Sequence, residues 1–187
     1  NAVDPITGKN SGDNCGLGFP FVHFREWERE ELEAQLLLKG GGSENCGLQY
    51  TLPDSQLGAG RDLAGIKRCV VDAVHRAQGY GCAPGVIGVG VGGDRVSSLE
   101  ESKFQLFRAL GDVNPDPLLA GLERELTEKT NLLGIGPMGF GGRSTTLGVK
   151  IGRRHRLPAS FFVSVTYLCW AARVRRMTVK AGEVSYD

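Results

Sequence analysis

The stretch GCAPGVIGVGVGGD, residues 81–94, decides how this chain folds. Valine, isoleucine and glycine fill residues 85–93, and we predict a buried strand there, whose glycines leave room for a close neighbour. Cys82 comes directly before this strand and directly after Gly79 and Gly81, which stop a predicted helix. The stretch therefore predicts a cysteine at the start of a buried strand.

The flanking segments predict a single mixed α/β domain with glycine-rich loops at strand ends. An apolar stripe of helical period covers residues 62–78, a capping box opens a second helix at Ser98, and Asp116-Pro117 caps a third. The second helix is expected to end near Leu110. Strands are expected at three further segments, where apolar residues alternate or cluster: 31–38, 145–151 and 160–167.

Composition limits the possible classes of protein. The 187 residues are 41% hydrophobic and 23% charged, as in ordinary soluble domains, and the net charge of +1 gives no electrostatic footprint for nucleic acid. No uninterrupted apolar stretch reaches the length of about 18 residues that a membrane span needs. We therefore expect a cytoplasmic protein without a nucleic-acid or membrane partner. Because the chain begins at Asn1, inside a turn, we also expect that its natural N-terminus is missing.

The cysteines are few and irregularly spaced, while glycine is abundant. Five cysteines without a Cys-x-x-Cys pair argue against a disulfide scaffold, so we expect thiols that are free or bound to metal. Cys69 lies on the helical stripe and is expected in the core. From pattern alone, the distant Cys82 and Cys169 are more often structural residues than metal ligands. The 28 glycines, about twice the usual ~7%, indicate backbone that approaches something closely.

Other motifs leave alternatives open or fail their structural context. Gly134 to Gly139 matches G-x-G-x-x-G but follows a helix and precedes a strand, which excludes a dinucleotide-binding fold. His155 lies among three arginines, and either an anion pocket or an exposed basic loop would fit. The basic run 173–176 predicts a solvated face or a subunit contact.

Several stretches, taken in order along the chain, resemble one known family. They are NAVDP (1–5) with GKNSGDN (8–14), KGGGSEN (39–45), residues 81–94, GIGPMGFGG (134–142) with TTLGVKI (145–151), and HRLPAS (155–160) leading to CWAA (169–172). This series resembles the N-terminal catalytic domain, or alpha subunit, of class I fumarases and L-tartrate dehydratases, which are iron–sulfur hydro-lyases. It spans almost the whole chain, so residues 1–187 are expected to be part of that domain.

The resemblance implies a [4Fe–4S] cluster held by three cysteines, with one iron left open. The second and third ligands fall on Cys82 and Cys169. The first belongs to a Cys-Gln-Asp-Thr-Gly segment that lies upstream in the family and is not in these residues. Cys15 or Cys46 could replace it only if the fold allowed. The 187 residues alone are therefore expected to be inactive.

The resemblance also implies where a dicarboxylate binds. Substrate contacts are expected in and after the glycine loop at residues 39–45 and at one arginine: Gly41, Glu44, Asn45, Cys46, Gly47, Leu48, Gln49, Tyr50 and Arg156. His155 is the candidate catalytic residue, although the family's active-site histidine aligns with Leu157. Backbone amides of the three glycines are plausible donors to substrate oxygens.

These residues predict an enzyme that reversibly hydrates fumarate to (S)-malate, as in the tricarboxylic acid cycle. An L-tartrate dehydratase alpha subunit is the nearest alternative. A non-catalytic protein with buried structural cysteines, which binds an anion or a partner, is the rival from another class. The expected partners are a beta subunit or fused C-terminal domain and further copies in an oligomer.

Overall fold

The computed structural model describes residues 1–187 and contains seven strands and four α-helices. The strands are β1 (Glu31–Leu38), β2 (Leu48–Thr51), β3 (Gly85–Gly92), β4 (Thr146–Arg154), β5 (Phe162–Leu168), β6 (Arg173–Lys180) and β7 (Glu183–Tyr186). The helices are α1 (Gly41–Glu44), α2 (Leu63–Ala77), α3 (Arg95–Phe104) and α4 (Pro117–Asn131). The predicted mixed α/β class is confirmed.

The strand predicted from residues 85–93 lies inside a four-stranded sheet of order β2-β5-β3-β4. β3 runs parallel to β4, with Gly92 opposite Arg154, and antiparallel to β5, with Val86 opposite Leu168. β2 pairs antiparallel with β5. The starts of β3 and β4 and the end of β5 therefore lie at one end of the sheet, which we name the β3 amino end.

The glycines of β3 allow a helix to lie directly on the sheet. A Cβ atom at Gly88 would overlap the carbonyl oxygen of Ser102, and one at Gly90 would overlap that of Ser98, both on α3. The Ser98 hydroxyl donates to the Gly90 carbonyl oxygen at 3.0 Å. The close neighbour expected from these glycines is therefore α3.

The opposite face of the sheet carries the main apolar core. Because strand side chains alternate between faces, Ile87 and Val89 point away from α3 and pack with residues of α2 and α4. Cys69, Val74 and Leu126 are among the fully enclosed side chains on those helices. The prediction of a buried Cys69 is confirmed. With helices on both faces, every residue of β5 after Phe162 is buried.

Two of the three predicted helix starts are confirmed. The Asp62 carboxylate accepts from the Gly65 amide at 2.7 Å and begins α2, and the Asp116 carboxylate accepts from the Leu118 amide at 2.9 Å and begins α4. The start predicted at Ser98 is wrong, since α3 begins at Arg95. Asp94 is its N-cap and accepts from the Ser97 amide at 2.7 Å, which leaves Ser98 free to face the sheet. The helix also ends at Phe104, earlier than expected.

Three predicted strands are confirmed as β1, β4 and β5. β1 has the predicted bounds, and the ends of β4 and β5 shift by one to three residues. β2 was missed because its four residues are too few to show a period. β6 and β7 were missed as well, and the basic run 173–176 lies on β6 in a three-stranded sheet of order β1-β6-β7.

The residues form two compact units, each with most of its contacts inside itself. The larger comprises residues 34–177 with 186–187 and contains the four-stranded sheet and all the helices. The smaller comprises residues 1–33 with 178–185, and its first 30 residues are almost entirely exposed. No helix in the chain combines the length and the apolar character needed to cross a membrane.

Candidate functional site

Two glycine loops meet at the β3 amino end of the sheet. The segment between α2 and β3, which we name the Cys82 loop, leads into β3. The loop at residues 134–142 leads towards β4. The Met138 amide donates to the Ala83 carbonyl oxygen at 2.9 Å, and the Gly85 amide donates to the Thr145 carbonyl oxygen at 3.0 Å. A Cβ atom at Gly79 would lie 2.5 Å from the Met138 oxygen, so the loops pack with no room for a side chain. This close packing fixes the backbone around Cys82.

Cys82 adopts a left-handed backbone conformation, with φ 56° and ψ 60°. Its amide donates to the Gly79 carbonyl oxygen at 3.0 Å, which closes the turn after α2. Residues other than glycine rarely adopt this conformation, and those that do are concentrated at functional sites. Cys82 is half-buried, so part of the residue is open to a ligand.

Cys169 reaches the same end of the sheet from the opposite direction. It follows β5, whose last residue, Leu168, is opposite Val86 near the start of β3. A Cβ atom at Gly40 would lie 3.8 Å from the Cys169 sulfur, an ordinary van der Waals distance. The glycine loop after β1 therefore lies against Cys169, and the two predicted ligands Cys82 and Cys169 are brought to one end of the sheet.

Cys46 is a third thiol at this end. Its thiol lies 3.8 Å from the Gly42 carbonyl oxygen. A Cβ at the neighbouring Gly47 would lie 3.2 Å from the Val165 carbonyl oxygen, so this segment runs beside β5. Burial raises the pKa of Cys46 and the charge on Cys82 raises it further, while Lys39 opposes the rise. We refer to Cys46, Cys82 and Cys169 as the thiol group.

Tyr167 adds a buried hydroxyl beside the thiol group. Its side chain is 2% exposed, and its hydroxyl has no hydrogen-bond partner. Burial, together with the charges on Cys46, Cys82 and Cys169, raises the pKa of Tyr167 to about 12. All three thiols are thus near enough to this phenol to act on it electrostatically.

Two lysines and one glutamate form a charged group next to the thiols. Lys39 Nζ lies 2.7 Å from Glu44 Oε2, and Lys103, from α3, pairs with Glu44 Oε1. Burial lowers the pKa of Lys39, and Glu44 opposes this shift. Burial alone would raise the pKa of Glu44, but hydrogen bonds from Lys103 and Lys39 outweigh it and the net pKa is lowered. Glu44 is therefore a carboxylate at neutral pH.

The remaining residues expected to contact substrate divide into two sets. Gly42, Asn45 and Cys46 line a shallow hollow with Leu48, Arg76, Ala77 and Tyr80. Gly41 is exposed beside it on α1. Gln49 and Tyr50 instead bond within the fold: Gln49 Nε2 donates to the Arg95 carbonyl oxygen at 2.7 Å, and the Tyr50 hydroxyl donates to Asp72 at 2.8 Å. Substrate contact by Gln49 or Tyr50 stays a prediction, and their observed bonds are structural.

His155 and Arg156 lie at the far end of the sheet. β4 ends at Arg154, which is opposite Gly92 at the end of β3, and His155 is the next residue. At about 3.3 Å per residue, the eight residues of β3 separate the two ends by more than 20 Å. The catalytic role of His155 stays a prediction, and within one chain it is remote from the thiol group.

The arginines near His155 do not converge on an anion pocket. Arg153 pairs with Asp116 at 2.5 Å, and Arg154 pairs with Glu101 at 2.8 Å. Arg156 Nη1 donates to three carbonyl oxygens of its own loop, at Leu157, Pro158 and Ser160. Each guanidinium thus has separate partners, and residues 153–156 are an exposed basic segment that comprises the end of β4 and the start of the loop after it.

Sequence reasoning missed three residues at or beside the site: Arg76, Lys103 and Tyr167. Arg76 and Lys103 are on helix surfaces far from any motif, and only the packing of α2 and α3 brings them close. Tyr167 carried a usable signal, because strand residues two apart share a face and Tyr167 is two before Cys169.

The donor chemistry at this end of the sheet suits an iron–sulfur cluster. Thiolates are the ligands that such clusters use, and each iron takes its own cysteine, so the ligands are spread out. No three or more His, Cys, Asp or Glu side chains are grouped to hold a single metal ion. Bare glycine backbone and an unpaired buried hydroxyl also surround the thiols, which leaves donors available to an occupant.

The chain is similar in sequence to a known family and to several of its members. The sequence profile of the family described as fumarate hydratase (fumerase) matches residues 1–178. A putative class I fumarate hydratase from Geobacillus stearothermophilus is 55% identical over 176 residues. A putative L(+)-tartrate dehydratase subunit alpha from Methanocaldococcus jannaschii is 38% identical over 185 residues, and the L(+)-tartrate dehydratase subunit alpha of Escherichia coli K12 is 31% identical over 185 residues.

The matches cover nearly all of this chain but only part of each relative. They include 92% of the chain for the Geobacillus protein and 97% for the other two. The matched residues are 34% of the Geobacillus protein, 63% of the Methanocaldococcus protein and 58% of the Escherichia protein. The profile match alone spans most of the chain, and the chain therefore belongs to the fumarate hydratase family.

Proposed function

We propose that this chain supplies the cluster-holding part of a hydro-lyase that hydrates fumarate to (S)-malate. The observation that carries the proposal is the convergence of Cys82, Cys169 and three glycine loops at the β3 amino end of the sheet. The Geobacillus relative, named as a fumarate hydratase, favours fumarate as the substrate. The reaction would belong to the tricarboxylic acid cycle and take place in the cytoplasm.

Cys82 and Cys169 would hold two irons of a [4Fe–4S] cluster. The third ligand would come from the upstream Cys-Gln-Asp-Thr-Gly segment. A bound cluster with one open iron supplies a Lewis acid that polarises the substrate's hydroxyl and carboxylate oxygens. The protein's own task is then to present the thiolates in a fixed geometry, which the packing of Gly79 against Met138 supports.

The glycine loop after β1 would orient the dicarboxylate. Gly41 and Gly42 are exposed and carry no side chain, so a carboxylate can approach their amides closely. Lys39 and Lys103 exceed Glu44 by one positive charge, which favours an anionic ligand here. Asn45 and Arg76 would add further donors from the hollow. His155, if it acts in the reaction, would act at a different chain's site.

The second half of the enzyme would be a beta subunit or a fused C-terminal domain, in an oligomer. The relatives named as alpha subunits of L(+)-tartrate dehydratase support a separate subunit. Their matches over 97% of this chain also support tartrate dehydration as the second candidate reaction. Tartrate differs from malate, the hydration product of fumarate, by one extra hydroxyl.

The test is anaerobic reconstitution of the complete protein with iron and sulfide, followed by assays with fumarate and with tartrate. We expect a brown, oxygen-labile protein that hydrates fumarate. Cys82→Ser and Cys169→Ser should each lose the cluster. Cys69→Ser is the matched control. It should keep the cluster, because Cys69 lies on the buried face of α2 in the hydrophobic core.

Three results would contradict the proposal in whole or in part. A colourless protein that takes up no iron would favour the rival, a non-catalytic fragment with structural cysteines. A normal cluster in both Cys82→Ser and Cys169→Ser would refute the ligand assignment. Activity with tartrate and none with fumarate would select the second candidate reaction.

A further inference from the structure

The Tyr167 hydroxyl is a feature that ligation by cysteines leaves unexplained. The side chain is 2% exposed, and the hydroxyl has no hydrogen-bond partner. A buried hydroxyl without a partner lowers the stability of a fold, so native proteins rarely retain one. The buried hydroxyls of Ser98, Ser102 and Thr166, on the other face of the same sheet, all have partners, and Thr146 on β4 is the other buried hydroxyl without one.

The position of the ring directs attention to the Cys82 loop. A Cβ atom at Gly81 would lie 2.8 Å from Tyr167 Cζ, and one at Gly85 would lie 2.6 Å from the Tyr167 hydroxyl oxygen. These two glycines are the residues on either side of Cys82-Ala83-Pro84. The phenol therefore lies directly against the backbone that carries Cys82.

Cys169, the other predicted ligand, directly follows the strand that carries Tyr167. Cys169 is two residues beyond Tyr167 in the direction of β5, on the same face by strand alternation. A phenol is protonated at neutral pH and can donate one hydrogen bond. Thiolate or sulfide sulfur at the β3 amino end would accept it.

We propose that the Tyr167 hydroxyl donates a hydrogen bond to sulfur of the bound iron–sulfur cluster, either a cysteine thiolate or an inorganic sulfide. This inference rests on the proposed function. Tyr167 is then a positioning and tuning residue rather than a catalytic one. A hydrogen bond to sulfur disperses negative charge, and the reduced cluster carries one more electron, so the bond stabilises the reduced state and raises the reduction potential.

The experiment compares three forms of the complete, anaerobically reconstituted protein: wild type, Tyr167→Phe and Thr166→Val. The first variant removes only the Tyr167 hydroxyl and keeps the ring. The second is the matched control, since Thr166 is its neighbour on β5, is 2% exposed and has its hydroxyl 2.6 Å from that of Ser102 on the opposite face. Iron and sulfide content, the one-electron midpoint potential and Fe–S vibrational bands in H₂O and D₂O are measured.

We expect Tyr167→Phe to keep the wild-type iron and sulfide content and to lower the midpoint potential. The equilibrium constant for reduction should fall roughly three- to tenfold, and tenfold corresponds to 59 mV for a one-electron couple. Wild type and Thr166→Val should share a D₂O-sensitive Fe–S band that Tyr167→Phe lacks. In cluster-free protein the two variants should differ in stability. Thr166→Val should unfold at a lower urea concentration than wild type, and Tyr167→Phe should not.

Two outcomes would overturn the inference, and they differ. An intact cluster in Tyr167→Phe, with unchanged potential and an unchanged D₂O-sensitive band, would refute the hydrogen bond alone and leave the proposed function standing. A wild-type protein that takes up no iron would refute the proposed function and this inference together.

Discussion

The main-chain amide of Met138 donates a hydrogen bond to the carbonyl oxygen of Ala83 at 2.9 Å, and this bond joins the two glycine loops at the candidate site. Met138 has a φ of 55°, so the bond is made by backbone in an unfavourable conformation. The loop at residues 134–142 thus acts as a brace for the Cys82 loop.

Replacing Gly79 by alanine should separate the two loops. The new methyl group would meet the Met138 carbonyl oxygen at 2.5 Å, and backbone cannot move aside as a flexible side chain can. We expect a loss of about 2 kcal/mol in unfolding free energy, measured by urea denaturation of the cluster-free protein. Gly121→Ala, on α4 with open space around it, is the control and should stabilise by up to about 1 kcal/mol. Equal effects at the two positions would contradict the brace.

The left-handed backbone of Cys82 predicts a difference between two variants that both lack the thiol. Glycine suits a φ of 56° and alanine does not, so Cys82→Gly should be more stable than Cys82→Ala by about 1 kcal/mol. The urea midpoints of the cluster-free variants provide the measurement. If alanine were as stable as glycine, the thiol would not be held by a strained turn.

The pairing of Glu44 with two lysines predicts a pH-dependent contribution to stability. The folded-state pKa of Glu44 lies below its ordinary value of 4.5, so the stabilisation is present above pH 4.5 and is lost as pH falls through the folded-state pKa. Glu44→Gln should therefore lower the urea midpoint more at pH 7 than at pH 3. Because Glu44 is partly exposed, the difference at pH 7 should stay below about 1 kcal/mol.

The matched control for Glu44 is Glu128→Gln on the exposed surface of α4, which should shift the midpoint little at either pH. A Glu44→Gln effect that persisted unchanged at pH 3 would show that the lysine pairs do not cause it.

A buried carboxylate on α4 predicts the largest single loss of stability. Glu123 Oε1 accepts from Arg108 at 2.6 Å, from Asn114 at 2.8 Å and from the Ile151 amide at 2.8 Å. Glu123→Gln would leave the Arg108 guanidinium with Asp112 alone as its charged partner and should cost about 3 kcal/mol. Thermal denaturation measures it, with Glu128→Gln on the same helix as control. Wild-type stability would mean that the network is dispensable.

Much of the fold could be predicted because local signals coincided with tertiary structure. Asp62 and Asp116 cap α2 and α4 as their side-chain chemistry predicts, and the glycines of β3 do meet a close neighbour. The predicted start of α3 was wrong because Asp94 and Ser98 are both suitable N-cap residues. Asp94 is the N-cap in the structure, and the Ser98 hydroxyl donates to the Gly90 carbonyl oxygen instead. A single sequence does not show which of the two side chains will hydrogen-bond to the sheet and which will cap the helix.

The candidate site was predictable in part. Cys82 and Cys169 were expected together, and antiparallel pairing of β3 with β5 brings them to one end of the sheet. The position of His155 depends on β4 running parallel to β3, which puts the end of β4 at the far end of the sheet. Strand direction is a property of the whole sheet, so the local sequence around His155 could not show that it lies far from the thiol group. The same applies to Lys103, which joins Glu44 across 59 residues.

The contact of Tyr167 with Gly81 and Gly85 also limits how this part of the protein can change. The ring occupies the volume that side chains at both glycines would need, so the three positions share one space. A larger residue at 81 or 85 is compatible with the fold only if residue 167 becomes smaller at the same time. Members of the family that differ here should therefore exchange volume between these positions and not change them independently.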